Sequence, residues 1–466
     1  MKAHRILGLI ASLGLVFLLN TSNRAWAQAP AATPAPSATL AAGACPPAAA
    51  SAVAELRANF PQALSAAAAA CPAVAVAQAS PAAAPSPAAS PTPVPPLTSP
   101  SVVGPLTWQS PTAFDLSKML GLNEIAPPIG DLFKFDVNGV VSGIGIVQNH
   151  AVNGDRSSRA DASNAQVIIQ KADGLIQYYL EVGAYSIPEL GTAYVSSGNA
   201  VNRLWGPLPA GYLKIAPTAN FSLLAGNLPT LFGQEYAFTF ENMNIERGLL
   251  WSQENTVNRG VQANYTLGPI TASLSWNNGF YSKSYTWLDG ALTWAINSSN
   301  TFEFVGGGQV GFSKFSNFAT PVLLNNSQIY DIEYTYSSAP WIFTPYFQFT
   351  ILPHHPELGV FKTTSTSAGA LLLSYAFTDN FFLTGRLEGI TSSGSPTDGS
   401  ANLLSYGVGS NVWSITLTPT YQYKNFFARG EASFVQAVQY TPGDVFGNQN
   451  RNPAQVRGVL ETGILF

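Results

Sequence analysis

The sequence predicts an all-β protein, a transmembrane antiparallel β-barrel of about 16 strands that follows a disordered Ala/Pro-rich arm. Three observations carry this prediction. Only 10% of the chain is charged, against about a quarter in an ordinary soluble protein. From Phe133 to Phe466 apolar and polar residues alternate as in extended strands. Short and long turn segments also follow one another in regular order, which is typical of a barrel with lipid outside and water inside.

The first 27 residues have the pattern of a secretory signal peptide. Lys2 and Arg5 precede an apolar core from Ile6 to Leu19, and residues 25–27 read Ala-Trp-Ala. Small residues in this arrangement predict cleavage after Ala27. The apolar core is too short for a stable membrane span, so we expect export to the periplasm of a Gram-negative cell.

Residues 28–105 are predicted to form a linker. They consist largely of Ala, Pro, Ser and Thr, and such a composition buries too little apolar surface to offset the entropy of ordering. A short helical island at 48–70 lies between Cys45 and Cys71, the only two cysteines of the protein. In an exported chain such a pair indicates a disulfide, with two free thiols as the alternative.

Residues 106–132 regain apolar side chains and are predicted to form a short helical lead-in or plug before the barrel. Asp115 is placed to cap a helix that runs through Leu122 and ends before Pro127.

Strand alternation divides the barrel residues into a lipid face and a lumen face. On the predicted lumen face four positive and eight negative side chains occur, so we expect a weakly cation-preferring pore. The Arg/Glu pairs on three carboxyl-terminal strands are expected to form a ladder that orients dipolar solutes. The predicted pore-lining residues are Lys134, Asp136, Glu181, Glu303, Asp331, Glu333, Arg386, Glu388, Arg429, Glu431, Arg457 and Glu461.

Turn signals give the strand count. Seven short links contain Gly, Pro, Asn or Asp, and eight longer connections lie between them. A first strand, seven hairpins and a closing strand make 16. Aromatic residues beside the short links, including Trp341, Tyr375, Phe377, Phe426 and Phe427, predict an interfacial girdle.

The closing strand is predicted at Gln455–Phe466, paired with 133–148. An unpaired strand edge is costly in lipid, so we expect Phe466 to act as an assembly signal. A barrel of this kind implies three partners: outer-membrane lipid, lipopolysaccharide and the barrel-assembly machinery.

The longest predicted connection, Leu228 to Asn258, is unusually rich in charge for this chain. Long connections between strands are often functional. We expect this one to fold inward and narrow the pore. An exposed tip that contacts lipopolysaccharide is the alternative. The charged residues of this predicted constriction loop are Glu235, Glu241, Glu246, Arg247 and Glu254.

Several classes of function are disfavoured. A net charge of −4 without a Lys/Arg cluster argues against a nucleic-acid partner. After the signal peptide the only histidines are His150, His354 and His355, which leaves few candidate bases for catalysis. The adjacent pair lacks further metal ligands. We therefore expect no enzyme activity, no cofactor and no metal.

The segment Leu224–Ser282 carries the motifs Gly-Gln-Glu at 233–235, Glu-Arg-Gly at 246–248, Arg-Gly-Val at 259–261 and Trp-Asn-Asn-Gly at 276–279. With these motifs the chain resembles the OmpL-like family of outer-membrane β-barrel porins. The resemblance implies a diffusion channel without catalytic residues. Two functions stay open: a porin for small hydrophilic solutes and ions, which could form a homotrimer, or a structural barrel that tethers the outer membrane through its periplasmic arm.

Overall fold

The computed structural model describes residues 106–108, 111–120 and 130–466. The predicted signal peptide, the linker and the Cys45–Cys71 pair lie outside these residues. Within the described ranges, no helix is long and apolar enough to cross a membrane.

Sixteen antiparallel strands form a closed barrel, as predicted, and a short strand, β1 (Thr112–Asp115), precedes them. The barrel strands are β2 (Lys134–Gln148), β3 (Ser158–Lys171), β4 (Ile176–Tyr185), β5 (Ala210–Thr218), β6 (Phe221–Pro229), β7 (Val257–Leu267), β8 (Ile270–Asn277), β9 (Trp287–Asn297), β10 (Asn300–Gln309), β11 (Gln328–Ser338), β12 (Trp341–Leu352), β13 (Thr364–Thr378), β14 (Phe381–Ser392), β15 (Asn411–Tyr423), β16 (Phe426–Gln439) and β17 (Ala454–Leu465). Each strand pairs with its neighbours in the chain, and β17 pairs with β2.

The two faces of each strand differ in burial because successive side chains point to opposite sides of the sheet. Along β15, Ile415 and Leu417 are exposed on the outer face, whereas Thr416 and Thr418 are buried on the inner face. The outer face is therefore apolar and the inner face polar. This is the arrangement that a barrel needs when lipid surrounds it.

All seven short turns occur where the turn residues predict them, but two long connections, expected at 149–163 and 392–402, have clearly different bounds. β3 begins at Ser158 rather than at 164. A register shift opposite Ser142 and Gly143 reverses the facing of its first residues. Asp161 then points inward and accepts hydrogen bonds from the backbone N–H and the hydroxyl of Ser197, both at 2.8 Å. The connection after β14 extends to residue 410 rather than to 402.

Phe466 makes the last main-chain contacts of the seam between β17 and β2. The Phe466 N–H donates to the Gly139 carbonyl at 2.9 Å, and the Gly139 N–H donates to the Phe466 carbonyl at 2.6 Å. The Phe466 ring covers Gly139, where a Cβ atom would lie 2.4 Å from a ring carbon. A side chain at position 139 would therefore require the Phe466 ring to move.

The lead-in contains a short strand that the sequence did not predict, followed by a helical turn. Thr112–Asp115 form β1, which pairs with Lys134–Val137 beyond the end of β17. Phe114 stacks on Phe135 with ring centroids 5.8 Å apart. A single helical turn, α1 (Leu116–Met119), follows. The helical turn begins directly after Asp115, the predicted cap residue, although the Asp115 side chain forms no capping hydrogen bond. Residues 121–129 lie outside the described part of the chain.

A chain of aromatic contacts lies at the short-turn end of the barrel. The centroids of Trp341 and Tyr375 are 4.5 Å apart, those of Tyr375 and Phe377 4.8 Å, and those of Phe377 and Phe381 5.8 Å. Phe427 is an exception to the predicted girdle. It is 0% exposed and faces the interior, because alternation reverses the facing of adjacent residues.

Candidate functional site in the barrel interior

The connection between β6 and β7, residues 230–256, lies inside the barrel and is called the internal loop below. Phe240, Ile245 and Leu250 are 0% exposed. The loop contains two short 3-10 turns, at Thr239–Glu241 and Trp251–Gln253. It begins and ends on one side of the barrel and reaches strands on the opposite side, so it crosses the lumen.

β14 holds the internal loop with an arginine and a glutamate. The Arg386 guanidinium forms an ion pair with Glu235 and donates to the Glu246 carbonyl at 2.7 Å. The Glu388 carboxylate accepts a hydrogen bond from the Leu249 N–H at 2.8 Å. Both barrel side chains are buried, so these charges are satisfied by the loop rather than by water.

β16 repeats the arrangement. The Arg429 guanidinium donates to the carbonyls of Thr239 at 2.8 Å and Met243 at 2.9 Å. The Glu431 carboxylate accepts from the backbone N–H of Ile245 at 2.6 Å and of Glu246 at 3.0 Å. Arginine and glutamate here bind the polar groups of the loop main chain, which would otherwise lie buried without partners.

β17 completes the set. Arg457 lies 2.8 Å from Glu246, and Glu461 accepts from the Thr239 hydroxyl at 2.5 Å. Arg457 also donates to the carbonyl of Thr192 in the preceding long connection at 2.6 Å.

The structure therefore corrects the predicted ladder. Its side chains face the interior, but they bind loops and are at most 5% exposed. The six residues in question are Arg386, Glu388, Arg429, Glu431, Arg457 and Glu461. We call β14–β17, with these residues, the anchored wall.

The start and the end of the internal loop attach to two further strands. The Gly233 N–H donates to Asp331 at 3.1 Å and to Glu333 at 3.0 Å, both on β11. Near the other end, the Gln348 amide of β12 donates to Glu254 at 3.1 Å. The predicted pore-lining residues Asp331 and Glu333 thus also touch the loop.

The inner face of β7–β10, called the polar wall below, carries fewer charged side chains than the anchored wall. Several of its buried polar atoms have no hydrogen-bond partner among the described residues: Asn258 Oδ1, Ser273 Oγ, Asp289 Oδ1 and Thr293 Oγ1. Buried polar groups are nearly always hydrogen-bonded to protein or to water. This face therefore has the chemistry of a surface that water or a polar solute covers.

The remaining predicted residues also occupy inward positions. Glu181 accepts from the Gln166 amide at 2.8 Å and from the Tyr179 hydroxyl at 3.0 Å. Glu303 is buried on the inner face of β10. Lys134 and Asp136 lie at the start of β2, where the Lys134 ammonium is 3.5 Å from Asp131.

The sequence reasoning missed four inward charges. Lys214 and Asp289 follow the alternation rule, since Leu213 and Leu288 beside them point outward, and the rule alone could have found them. Arg159 and Asp161 face inward because of the register shift in β3, and no local feature of the sequence predicts that shift. These residues add two charges of each sign, so the acidic excess of the barrel wall is unchanged.

Among the described residues, no group of three or more His, Cys, Asp or Glu side chains is arranged to hold a metal ion. His354 and His355 precede β13 in an outer connection, and the His355 ring lies 5.3 Å from the Phe312 ring.

A closed 16-stranded barrel with a polar lumen and a loop that crosses it defines the outer-membrane porin class of protein. The chain belongs to the family described as "Putative beta-barrel porin-2, OmpL-like" (BBP2), whose model matches residues 134–466. This places the protein in the bacterial outer membrane.

The chain is similar to solved structures of outer-membrane porins, at low sequence identity. The channel DcaP of Acinetobacter baumannii is 12% identical with a TM-score of 0.49, and the match covers 71% of this chain and 97% of DcaP. The anion-selective porin of Comamonas acidovorans is 10% identical with a TM-score of 0.48, covering 71% and 99%. Salmonella typhi OmpF is 11% identical with a TM-score of 0.46, covering 72% and 98%. No curated protein matches the chain in sequence.

Proposed function

We propose that the protein allows passive diffusion of small hydrophilic solutes and ions through the space between the internal loop and the polar wall. The observation that carries this proposal is the contrast between two inner surfaces. The charged side chains of the anchored wall bind loops, whereas Ser273, Asp289 and Thr293 on the polar wall each retain one oxygen atom without a partner among the described residues. A solute path along the polar wall would leave the ion pairs and hydrogen bonds of the anchored wall intact.

Weak cation preference follows from the same surface. Asp289 and Glu303 lie on the polar wall and Asp331 beside it, with Lys214 as the positive side chain on nearby β5. Carboxylates at a constriction lower the barrier for cations and raise it for anions. Screening over about 8 Å at physiological salt keeps the preference weak in a wide pore.

Single-channel recording in a planar bilayer tests both statements. We expect ion conductance from the folded, heat-modifiable protein, with a reversal potential in a salt gradient that reports cation preference. Anion preference would contradict the assignment of the polar wall. A folded protein without conductance would favour the alternative, a structural barrel whose proline-rich arm tethers the membrane from the periplasm.

Phe466 is proposed to act as the assembly signal for the barrel-assembly machinery. Its main chain pairs with Gly139 and its ring covers that glycine, so deletion of Phe466 removes the end of the seam. We expect the deletion variant to insert poorly into the outer membrane, where lipid and lipopolysaccharide would surround the barrel. Normal surface levels would contradict this role.

A homotrimer is the oligomeric state that we propose. Cross-linking of the outer-membrane protein, followed by electrophoresis without heating, would show a trimer band or exclude it.

A further inference from the structure

The inner face of the barrel becomes apolar near its short-turn end. Val140 on β2, Ile168 on β3, Phe427 on β16 and Leu465 on β17 all point inward and are at most 1% exposed. Apolar side chains that face a wet lumen would lose the stabilisation of burial. Their presence requires a covering group inside the barrel.

The covering group includes Leu106–Trp108, called the lumen segment here, which precedes the barrel in the chain. Leu106 is 1% exposed and belongs to the same apolar cluster as Phe427 and Leu465. Residues from the far amino-terminal side of the chain therefore lie within the lumen, not beside the barrel.

The lumen segment is held by specific hydrogen bonds as well as by apolar contact. The Thr107 N–H donates to Gln422 Oε1 at 2.8 Å, and Gln422 Nε2 donates to the Thr107 carbonyl at 2.7 Å. Gln422 is an inward-facing residue at the end of β15 and is itself 5% exposed. One side-chain amide thus satisfies both main-chain groups of Thr107, as a neighbouring strand would.

The lumen segment also touches the internal loop. The Trp108 and Phe240 rings meet edge to face with centroids 5.6 Å apart. Phe240 belongs to the turn Thr239–Glu241. The neighbouring Thr239 carbonyl binds Arg429 and its hydroxyl binds Glu461. A movement of Trp108 would therefore act on the part of the loop that the anchored wall holds.

We propose that the lumen segment is an internal ligand of the barrel, which narrows the short-turn half of the pore and restrains the internal loop. Withdrawal of the lumen segment opens the pore further. This inference rests on the proposed channel function, but the placement of the segment can be tested without any conductance measurement.

Thiol labelling tests the placement. Leu106→Cys is made in a Cys45→Ser/Cys71→Ser background of the folded mature protein, with Leu120→Cys as the matched control, since Leu120 is 57% exposed on the same lead-in. A bulky maleimide should label the Leu106→Cys variant much more slowly than the control. Adding Gln422→Ala should accelerate labelling at position 106 by roughly ten-fold, as the loss of two hydrogen bonds would give, and leave position 120 unchanged. Equal rates at both positions would overturn the placement.

Conductance tests the gating. Trp108→Ala and Gln422→Ala should each raise single-channel conductance, while Leu120→Ala should not. Protected position 106 together with unchanged conductance in both variants would overturn the gating role. Protected position 106 with no conductance in any variant, including the unmodified protein, would contradict the channel function and leave the placement supported.

Discussion

The anchored wall and the polar wall lie on different sides of one lumen, and on both walls successive side chains alternate between the outer and the inner face. Their inner faces nevertheless have different interaction partners. Arg429 and Glu431 on the anchored wall bind the main chain of the internal loop. Asp289 on the polar wall keeps one carboxylate oxygen without a partner among the residues that the structure describes. A charged side chain that faces the inside of a barrel therefore does not necessarily line the pore.

The difference has an electrostatic reason. Burying a charge is costly unless it is paired and hydrogen-bonded. Arg386 and Glu388 can be covered by the internal loop because the loop supplies Glu235 to the guanidinium and a backbone N–H to the carboxylate. On the polar wall, Asn258, Ser273 and Thr293 each keep an oxygen atom without a partner among the described residues, so water is the partner that their chemistry requires.

The largest expected effect comes from breaking one anchor. Arg386→Ala leaves Glu235 and Glu388 buried without their cation, which costs about 3–5 kcal/mol for a buried pair. We expect a lower temperature for the heat-modifiable transition and unstable current levels as the loop is released. Lys134→Ala is the control, because Lys134 is largely exposed at the rim. Equal thermal shifts in both variants would contradict the anchoring role.

Without the internal loop, the charged side chains of the anchored wall should face the lumen, as the side chains of the polar wall do. Deletion of residues 238–250 takes away the turn and the main-chain groups that Arg429 and Glu431 bind. We expect single-channel conductance to rise clearly, since the loop crosses the lumen. A deletion of 395–399 in an outer connection should leave the conductance unchanged. If both deletions behave alike, the internal loop does not set the width of the pore.

Selectivity should respond to the polar wall more than to the anchored wall. Asp289→Asn and Glu303→Gln together remove two carboxylates from the proposed path, and the reversal potential should move toward neutrality. Glu388→Gln removes a carboxylate that already accepts hydrogen bonds from Leu249 and Ser414, and should change selectivity little. A larger shift from Glu388→Gln would place the ion path along the anchored wall.

The smallest effect is expected from a neutral contact between the internal loop and the anchored wall. Asn244→Ala removes one neutral hydrogen bond, from the Asn244 amide to the Thr418 hydroxyl at 2.7 Å. A neutral hydrogen bond contributes about 0.5–1.5 kcal/mol, so the thermal shift should be well below that of Arg386→Ala. A comparable shift would mean that the arginines are no more important to the loop than its neutral contacts.

Much of this architecture follows from the local sequence. Alternation at Ile415 and Leu417, and turn residues such as Gly268 with Pro269, predict strand number, facing and turn positions. Neighbouring residues suffice for these features, since adjacent side chains in a strand must point to opposite faces. The register shift that turns Arg159 and Asp161 inward had no such local signal.

The sequence by itself determined the closed barrel, the polar inner face and the charge-rich loop between β6 and β7, because each follows from periodicity, turn chemistry or composition along a continuous segment. Only the tertiary structure decided which inner charges meet a loop and which meet the lumen. Arg386 and Glu235 are 151 positions apart in the chain, and Thr107 and Gln422 are 315 apart. The physical reason is that pairing of buried charges and covering of apolar surface depend on proximity in space, which a one-dimensional pattern does not contain.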